Sequence, residues 1–176
     1  EASGAARGKC ASGNYREFAI ADTEAQQNAS EQGQKSFEAR EQFLTEITGM
    51  AATSVQPAAG AHGELAGMLL FHAYHRSKGN RRNKILVPDT AHGTNPASAA
   101  LCGYESIPVK SNSRGILDAE TVAAAMDEET AGIMVTHPNT IGLFEENIRE
   151  VVEVVHAKDG RVYGDGPNMN AVMGIV

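Results

Sequence analysis

Lys84-Ile85-Leu86-Val87-Pro88-Asp89-Thr90-Ala91-His92-Gly93-Thr94-Asn95-Pro96-Ala97-Ser98 passes from an apolar run, through a polar loop, into the start of a helix. Lys84–Val87 carries the aliphatic and β-branched side chains of a buried strand. Seven of the eleven residues from Pro88 to Ser98 are polar or Gly. Asn95-Pro96 offers an N-cap side chain followed by proline at the first helical position. A strand that empties into a polar loop and then a helix is the building unit of an α/β fold.

The same alternation extends in both directions. Upstream, Thr53–Gln56 is a short strand candidate, and Ala61–Ser77 is helix-like with Leu65, Met68, Leu69 and His72 on one face. Downstream come a strand at Glu105–Val109 and a short helix capped by Asp118 and carrying Val122 and Met126. Ile133, Met134 and Val135 run without alternation in Gly132–Thr136, which marks a strand buried on both faces. Glu145–Lys158 is a helix with Ile148, Val151, Val152 and Val155 on its apolar side. Glu145 and Glu146 open it and Lys158 closes it, which suits the helix dipole. Arg161–Gly164 is the last strand. Strand and helix alternating in this way predict an α/β fold, a mostly parallel sheet with helices on both faces and right-handed crossovers.

At 176 residues, the chain is one ordinary domain or a piece of a larger one. Fifteen Lys and Arg against 22 Asp and Glu leave a net charge of -7, which argues against a nucleic-acid partner, because phosphate binding needs an excess of base. Aromatic residues are 5% and Trp is absent, so stacking platforms for single strands are poorly supplied. No apolar run approaches the roughly 18–20 residues of a membrane span, so no membrane role is expected. Glu1-Ala2-Ser3-Gly4-Ala5 lacks the basic-then-apolar order of a signal peptide. Cys10 and Cys102 are too few for a disulfide framework and point to a reducing compartment.

Residues 1–36 differ in texture, being rich in Ala, Gln, Ser and Glu with few large apolar side chains. They read as an extended arm or loosely packed helix, and partial disorder fits equally. From Phe37 the pattern tightens. Phe37, Leu44 and Ile47 share a helical face, and Gly49 is a natural stop. The division adopted is 1–42 as an N-terminal arm or helix and 43–176 as the first part of a larger α/β domain.

In parallel α/β sheets, ligands bind beyond the carboxyl ends of the strands. Four windows occupy that place. In Gln56-Pro57-Ala58-Ala59-Gly60-Ala61-His62-Gly63-Glu64, small residues precede a helix, so backbone amides can approach an anion; a plain tight turn is the alternative. The dinucleotide and Walker glycine patterns are absent. His92, set between Ala91 and Gly93 after an apolar strand, reads as functional, although a plain loop fits too. Thr136-His137-Pro138-Asn139-Thr140-Ile141-Gly142 is again polar after an apolar strand. Asp165 ends a strand, where a carboxylate is desolvated unless it meets a cation or a donor; a solvent-facing cap is the alternative. His72 and His75, three apart, with His62, offer a metal reading that no second acidic or Cys cluster supports, so no metal is expected. Cys102 reads as a buried free thiol. A carboxylate, an imidazole, an anion-binding turn and several amides on one edge form the inventory needed by a phosphorylated heteroaromatic cofactor such as pyridoxal phosphate.

The windows Gln56–Glu64 and Ala91–Ala99, with Pro138-Asn139-Thr140 and Gly142-Leu143-Phe144-Glu145-Glu146-Asn147-Ile148, resemble the P-protein of the glycine cleavage system. This family is glycine dehydrogenase (decarboxylating), a pyridoxal 5'-phosphate enzyme of fold type I, and the Gln-Pro-Ala-Ala-Gly-Ala form is most similar to its subunit 2. The resemblance runs from about Phe43 to Val176, with Ala91–Ala99 its most specific part. It implies that His92 stacks on the cofactor ring and that Asp165 pairs with the pyridine nitrogen. It also implies that Ala59, Gly60 and Ala61 bind the phosphate, with Thr94, Asn95 and Thr140 near cofactor and substrate. The implied reaction removes CO2 from glycine and passes the aminomethyl group to the lipoyl arm of H-protein. Implied partners are glycine, H-protein and the other P-protein subunit or the remainder of the chain, in an oligomer. The implied compartment is the bacterial cytoplasm or the mitochondrial matrix.

Three departures from the family pattern stand out. Gly164 replaces a larger residue, and Pro167 replaces an Ala and removes a backbone donor beside Asp165. The family's Schiff-base lysine follows the Asp-Gly-x-Asn-x-Asn stretch in a His-Lys motif. None of Lys9, Lys35, Lys78, Lys84, Lys110 and Lys158 stands in such a motif. The expectation is therefore a fragment of the decarboxylase that is inactive alone. A non-catalytic cofactor-binding or structural relic of the family is the alternative.

Overall fold

A computed structural model of the chain describes residues 18–20 and 31–168. In chain order the elements are β1 (Phe18–Ile20), α1 (Glu31–Thr48), β2 (Ala52–Ser54), α2 (Gly60–Ser77), β3 (Lys84–Pro88), α3 (Thr94–Leu101), β4 (Glu105–Val109), α4 (Ala119–Ala125), β5 (Thr130–Thr136), α5 (Ile148–Ala157) and β6 (Arg161–Asp165). The main sheet has four strands in the order β4-β3-β5-β6, and every neighbouring pair is parallel. β1 and β2 form a separate parallel pair. α1 runs across residue 42 and ends one residue before Gly49, whose φ of 68° supplies the left-handed stop.

The sheet is covered on both sides, as the alternation predicts. Ile85 and Val87 of β3 pack with Met68, Phe71, Ala99 and Tyr104 from the α2 and α3 side. Leu86, between them, packs with Val122, Met126, Val151 and Val155 from the α4 and α5 side. All seven residues of β5 are buried, so its uninterrupted apolar run follows from cover on both faces. A register shift opposite Lys84 and Ile85 leaves Ala131 as an extra residue. Ala131 therefore shares a face with Met134 rather than alternating with it.

Three local expectations are corrected. The buried face of α2 is Glu64, Gly67, Met68, Phe71, Tyr74 and His75, while Leu69 is exposed. The cause is a close approach: a Cβ on Gly67 would lie 2.6 Å from Cδ2 of Tyr163. That contact sets the rotation of the helix. α3 is capped by Gly93, not Asn95, because the Asn95 side chain is drawn into the interior. α5 begins at Ile148. Glu145 does not open it but is buried in the preceding loop, where its carboxylate accepts the Leu117 amide at 2.7 Å and Asn139 Nδ2 at 3.0 Å.

Each helix returns antiparallel to the strands, so chain direction fixes which ends meet. The N-terminus of α2 lies at the carboxyl edge of the sheet, and its last turn lies near the start of β3. There, at the amino edge, Lys78 pairs with Asp159 and Lys84 with Asp127 and Glu129. The Lys84 bond holds the Asp127 carboxyl down at about 2.

Candidate functional site

Asp165 is the last residue of β6 and stands in register with Thr136, the last residue of β5. The residue is 9% exposed. Oδ2 accepts Thr136 Oγ1 at 3.0 Å and Asn95 Nδ2 at 3.3 Å, and the Asp165 carbonyl accepts the His137 amide at 3.1 Å. Pro167 has not disturbed this register. Among the described residues no Lys, Arg or His forms an ion pair with the Asp165 carboxylate. A buried carboxylate met only by neutral donors is undercompensated in charge. Asn95 is fully buried, and its Oδ1 has no partner among the described residues.

His92 lies exposed in the loop after β3. Its Nδ1 is 2.8 Å from Thr94 Oγ1. Thr94 Oγ1 in turn donates to Glu64 Oε1 at 2.7 Å, and Ser98 Oγ donates to Glu64 Oε2 at 3.1 Å. Glu64 is buried on the first turns of α2. His92, Thr94, Asn95 and Asp165 are thus gathered at one edge. Thr94 faces α2, and Asn95, its neighbour in the chain, faces β6. Burial, and then the Asp165 and Glu64 charges, push the Tyr163 phenol above its ordinary range.

Ala59 is the extended N-cap of α2, with φ of -162°. Its carbonyl accepts the His62 and Gly63 amides at 3.0 and 3.3 Å. The amides of Ala59, Gly60 and Ala61 donate to no group among the described residues. All three residues are exposed, at the positive end of a helix that lacks an acidic residue in its first turn. Thr140 is not joined to this cluster. It is exposed in the loop after β5 and bonds to neither Asp165 nor His92. Its neighbour Asn139 is fully buried and braces the loop, donating to the Gly115 carbonyl and Glu145 and accepting the Leu143 amide.

Sequence reasoning missed Glu64, Ser98 and Thr136 as site residues. Each stood inside a window already marked by position. What was lacking was a sign of which polar side chains turn inward.

A groove of about 450 Å³ opens at the opposite, amino edge, lined by His72, His75, Arg82, Cys102 and Tyr104 among others. It holds no carboxylate, and the C-terminal ends of α2 and α3 present their carbonyls there, so the carboxyl edge remains the candidate. Among the described residues no group of three or more His, Cys, Asp or Glu could hold a metal. His62 accepts the Ala58 amide at the start of α2, whereas His75 at its end bonds to the Ala131 carbonyl. Cys102 is half-buried rather than buried, a free thiol that burial pushes up in pKa.

No family model matches the chain. A probable glycine dehydrogenase (decarboxylating) subunit 2 of Bacillus cytotoxicus is 55% identical over 134 residues, 76% of this chain. That of Bacillus velezensis is 56% identical over 131 residues, 74% of this chain. The chain belongs to the glycine dehydrogenase (decarboxylating) subunit 2 family. It spans 27% of the length of each of these relatives. The fold agrees with this membership. A crystal structure of glycine decarboxylase (P-protein) of the glycine cleavage system, in inhibitor-bound form, aligns with a TM-score of 0.59 over 74% of this chain and 28% of that one, at 19% identity. The sphingosine-1-phosphate lyase of Burkholderia pseudomallei aligns at 0.56 over 60% of this chain and 25% of that one, at 21% identity. The chain therefore shares the α/β fold of these two structures, and its candidate site lies at the carboxyl edge of the main sheet.

Proposed function

We propose that this edge is the first part of the pyridoxal 5'-phosphate site of a glycine decarboxylase. The observation that carries the reading is the buried Asp165 carboxylate, oriented by Thr136 and Asn95 and met by no cation among the described residues. A protonated pyridine nitrogen is the partner such a group lacks. The unengaged amides at the start of α2 fit the phosphate. When bound, the cofactor supplies an electron sink for the pair released at the substrate's α-carbon.

In this reading Asp165 holds a proton at the ring nitrogen, and Thr136 and Asn95 keep its carboxylate aimed. Ala59, Gly60 and Ala61 bind the phosphate through their amides. His92 covers a face of the ring, and Thr94 and Thr140 border cofactor and substrate. The whole protein decarboxylates glycine and passes the aminomethyl group to the lipoyl arm of H-protein. It works with the rest of the P-protein in a reducing compartment, the bacterial cytoplasm or the mitochondrial matrix.

The test is titration of the chain with pyridoxal phosphate and with pyridoxal, followed by absorbance. Saturable binding of the phosphate form is expected, with pyridoxal bound more weakly. Asp165→Asn keeps the shape and removes the charge. A hydrogen bond to a charged group is worth about 1.5–3 kcal/mol, so affinity should fall about tenfold or more. Equal binding by the Asn variant and the native chain would refute the assignment.

A further inference from the structure

We infer that Glu64 is a positioning residue that fixes His92 as its Nδ1–H tautomer. The argument counts protons. A threonine hydroxyl has one proton to give. In Thr94 that proton is directed to Glu64 Oε1 at 2.7 Å. Glu64 as a carboxylate only accepts, and its second oxygen already receives Ser98 Oγ at 3.1 Å. Thr94 Oγ1 therefore has only lone pairs left to turn toward His92 Nδ1, 2.8 Å away. A contact that short between two lone pairs is repulsive, so the proton between them belongs to the imidazole.

A competing contact exists. The Thr94 amide points at the same Nδ1 from 3.3 Å, which would need an unprotonated nitrogen. The hydroxyl contact is shorter and ends on a charge, so it prevails. In the Nδ1–H form the Thr94 amide goes without this acceptor, as the first donors of a helix commonly do.

The consequence reaches the site. An exposed imidazole would otherwise rotate and exchange tautomers. Here it is tethered along one edge through Thr94 to a buried side chain of α2. Among the described residues no aromatic ring packs on either face and no hydrogen bond reaches Nε2. The hydrogen bond made by one ring nitrogen sets the state of the other, so Glu64 makes Nε2 an acceptor without touching it. The same carboxylate ties α2 to α3 through Thr94 and Ser98. It thereby couples the helix whose start carries the free amides to the loop that carries His92. That this ring faces a cofactor rests on the reading proposed above; the tautomer itself does not.

The experiment is ¹⁵N NMR of the His92 imidazole in the chain without added cofactor, at a pH well above the ordinary imidazole range. The native chain should show Nδ1–H in about tenfold excess over Nε2–H, the factor a charge-assisted bond supplies. Glu64→Gln keeps the shape but can donate to Thr94 and release its hydroxyl proton toward Nδ1, so the excess should be lost. Thr94→Val should lose it as well, and Thr94→Ser should keep it. Circular dichroism confirms that each variant is folded. A native His92 in the Nε2–H form, or a ratio unmoved by both Gln and Val, overturns the inference. Failure to bind pyridoxal phosphate with the tautomer as stated would instead overturn the cofactor reading and leave this inference standing.

Discussion

Alanine at Gly132 is the smallest change that should separate Asp165 from the residues that aim it. Gly132 is the parallel partner of Arg161 in the β5–β6 ladder. A Cβ there would lie 2.0 Å from the Arg161 carbonyl oxygen, 2.8 Å from its carbonyl carbon and 2.8 Å from Phe71 Cε2. Ordinary contact begins near 3.4 Å, so the carbonyl must retreat by more than an ångström. Overpacking costs about 1–3 kcal/mol where side chains can yield. Here the obstacle is backbone held in a ladder, and its retreat also disrupts one or two hydrogen bonds worth about 1 kcal/mol each. The expected loss is about 3–5 kcal/mol. For a chain of this length, each kcal/mol moves Tm by about 2–4 °C, so the midpoint should fall by about 10 °C. β6 would shift against β5, and the Thr136–Asp165 bond four positions along the ladder would weaken with it. Gly164→Ala is the control in the same strand pair, because a Cβ there meets nothing within 4 Å. Replacing a strand glycine relieves a penalty of about 0.5–1 kcal/mol, so this variant should be as stable as the native chain or more so. Thermal melts followed by circular dichroism compare the two. A Gly132→Ala midpoint within about 2 °C of native, on the scale of a fraction of a kcal/mol, or an equal loss in both variants would refute the reasoning.

His75 is almost wholly buried, with Nε2 donating to the Ala131 carbonyl at 2.8 Å and Nδ1 without a partner among the described residues. Burial lowers its pKa below the ordinary 6.5, against the raising effect of that bond. The unfolded ring therefore takes up a proton that the folded ring resists. Stability should be full above 6.5 and decline as pH falls from 6.5 toward the lowered folded value. Urea melts across this range should show the slope, and His75→Gln should flatten it. Among the lysines, Lys78, Lys84 and Lys158 flank the amino edge, away from Asp165, and Lys110 is exposed just after β4. Borohydride reduction of the chain in pyridoxal phosphate should label no lysine stoichiometrically, and glycine should release no CO2. Mass spectrometry finding one lysine fully modified, with CO2 release, would show otherwise.

The main sheet was legible because its strands carry uninterrupted apolar runs and end in polar loops. β5 shows this most plainly: it is buried on both faces, and its composition allows little else. The rotation of α2 was not legible. Leu65 and Leu69 looked like its core face, yet the contact of Gly67 with Tyr163 turns Phe71 and Tyr74 inward instead. Such a close approach joins residues far apart in sequence and leaves no periodic trace. Glu145 misled for a related reason. An acid before a helix is ordinarily a dipole partner, and only the loop fold shows that it meets the Leu117 amide and Asn139. His92 and Asp165 were marked by their place after strands, a rule of topology. Glu64 and Thr136 needed side-chain direction, which topology does not give.

The carboxylates buried toward the carboxyl edge are met differently from the exposed acids, and this contrast supports the placement of the site; on the carboxyl side the exposed Glu146 has a cation, Arg114 at 2.7 Å. At the amino edge acids have cations: Asp159 meets Lys78 and Arg161, each at 3.3 Å, and Lys84 serves Asp127 and Glu129. Toward the carboxyl edge the buried carboxylates of Glu64, Glu145 and Asp165 are met by hydroxyls, amides and a backbone N–H. Burying charge without a counter-ion opposes folding unless hydrogen bonds offset it. Glu145 is offset by a backbone amide and an asparagine, and it braces a loop. Asp165 has two weaker contacts, and beside it Asn95 Oδ1 is buried with no donor among the described residues. At the same edge, the first amides of α2 offer positive potential and have no acceptor among the described residues. A negative pole at β6 and a positive one at α2 form a field that a ligand with a protonated ring nitrogen and an anionic arm would complete.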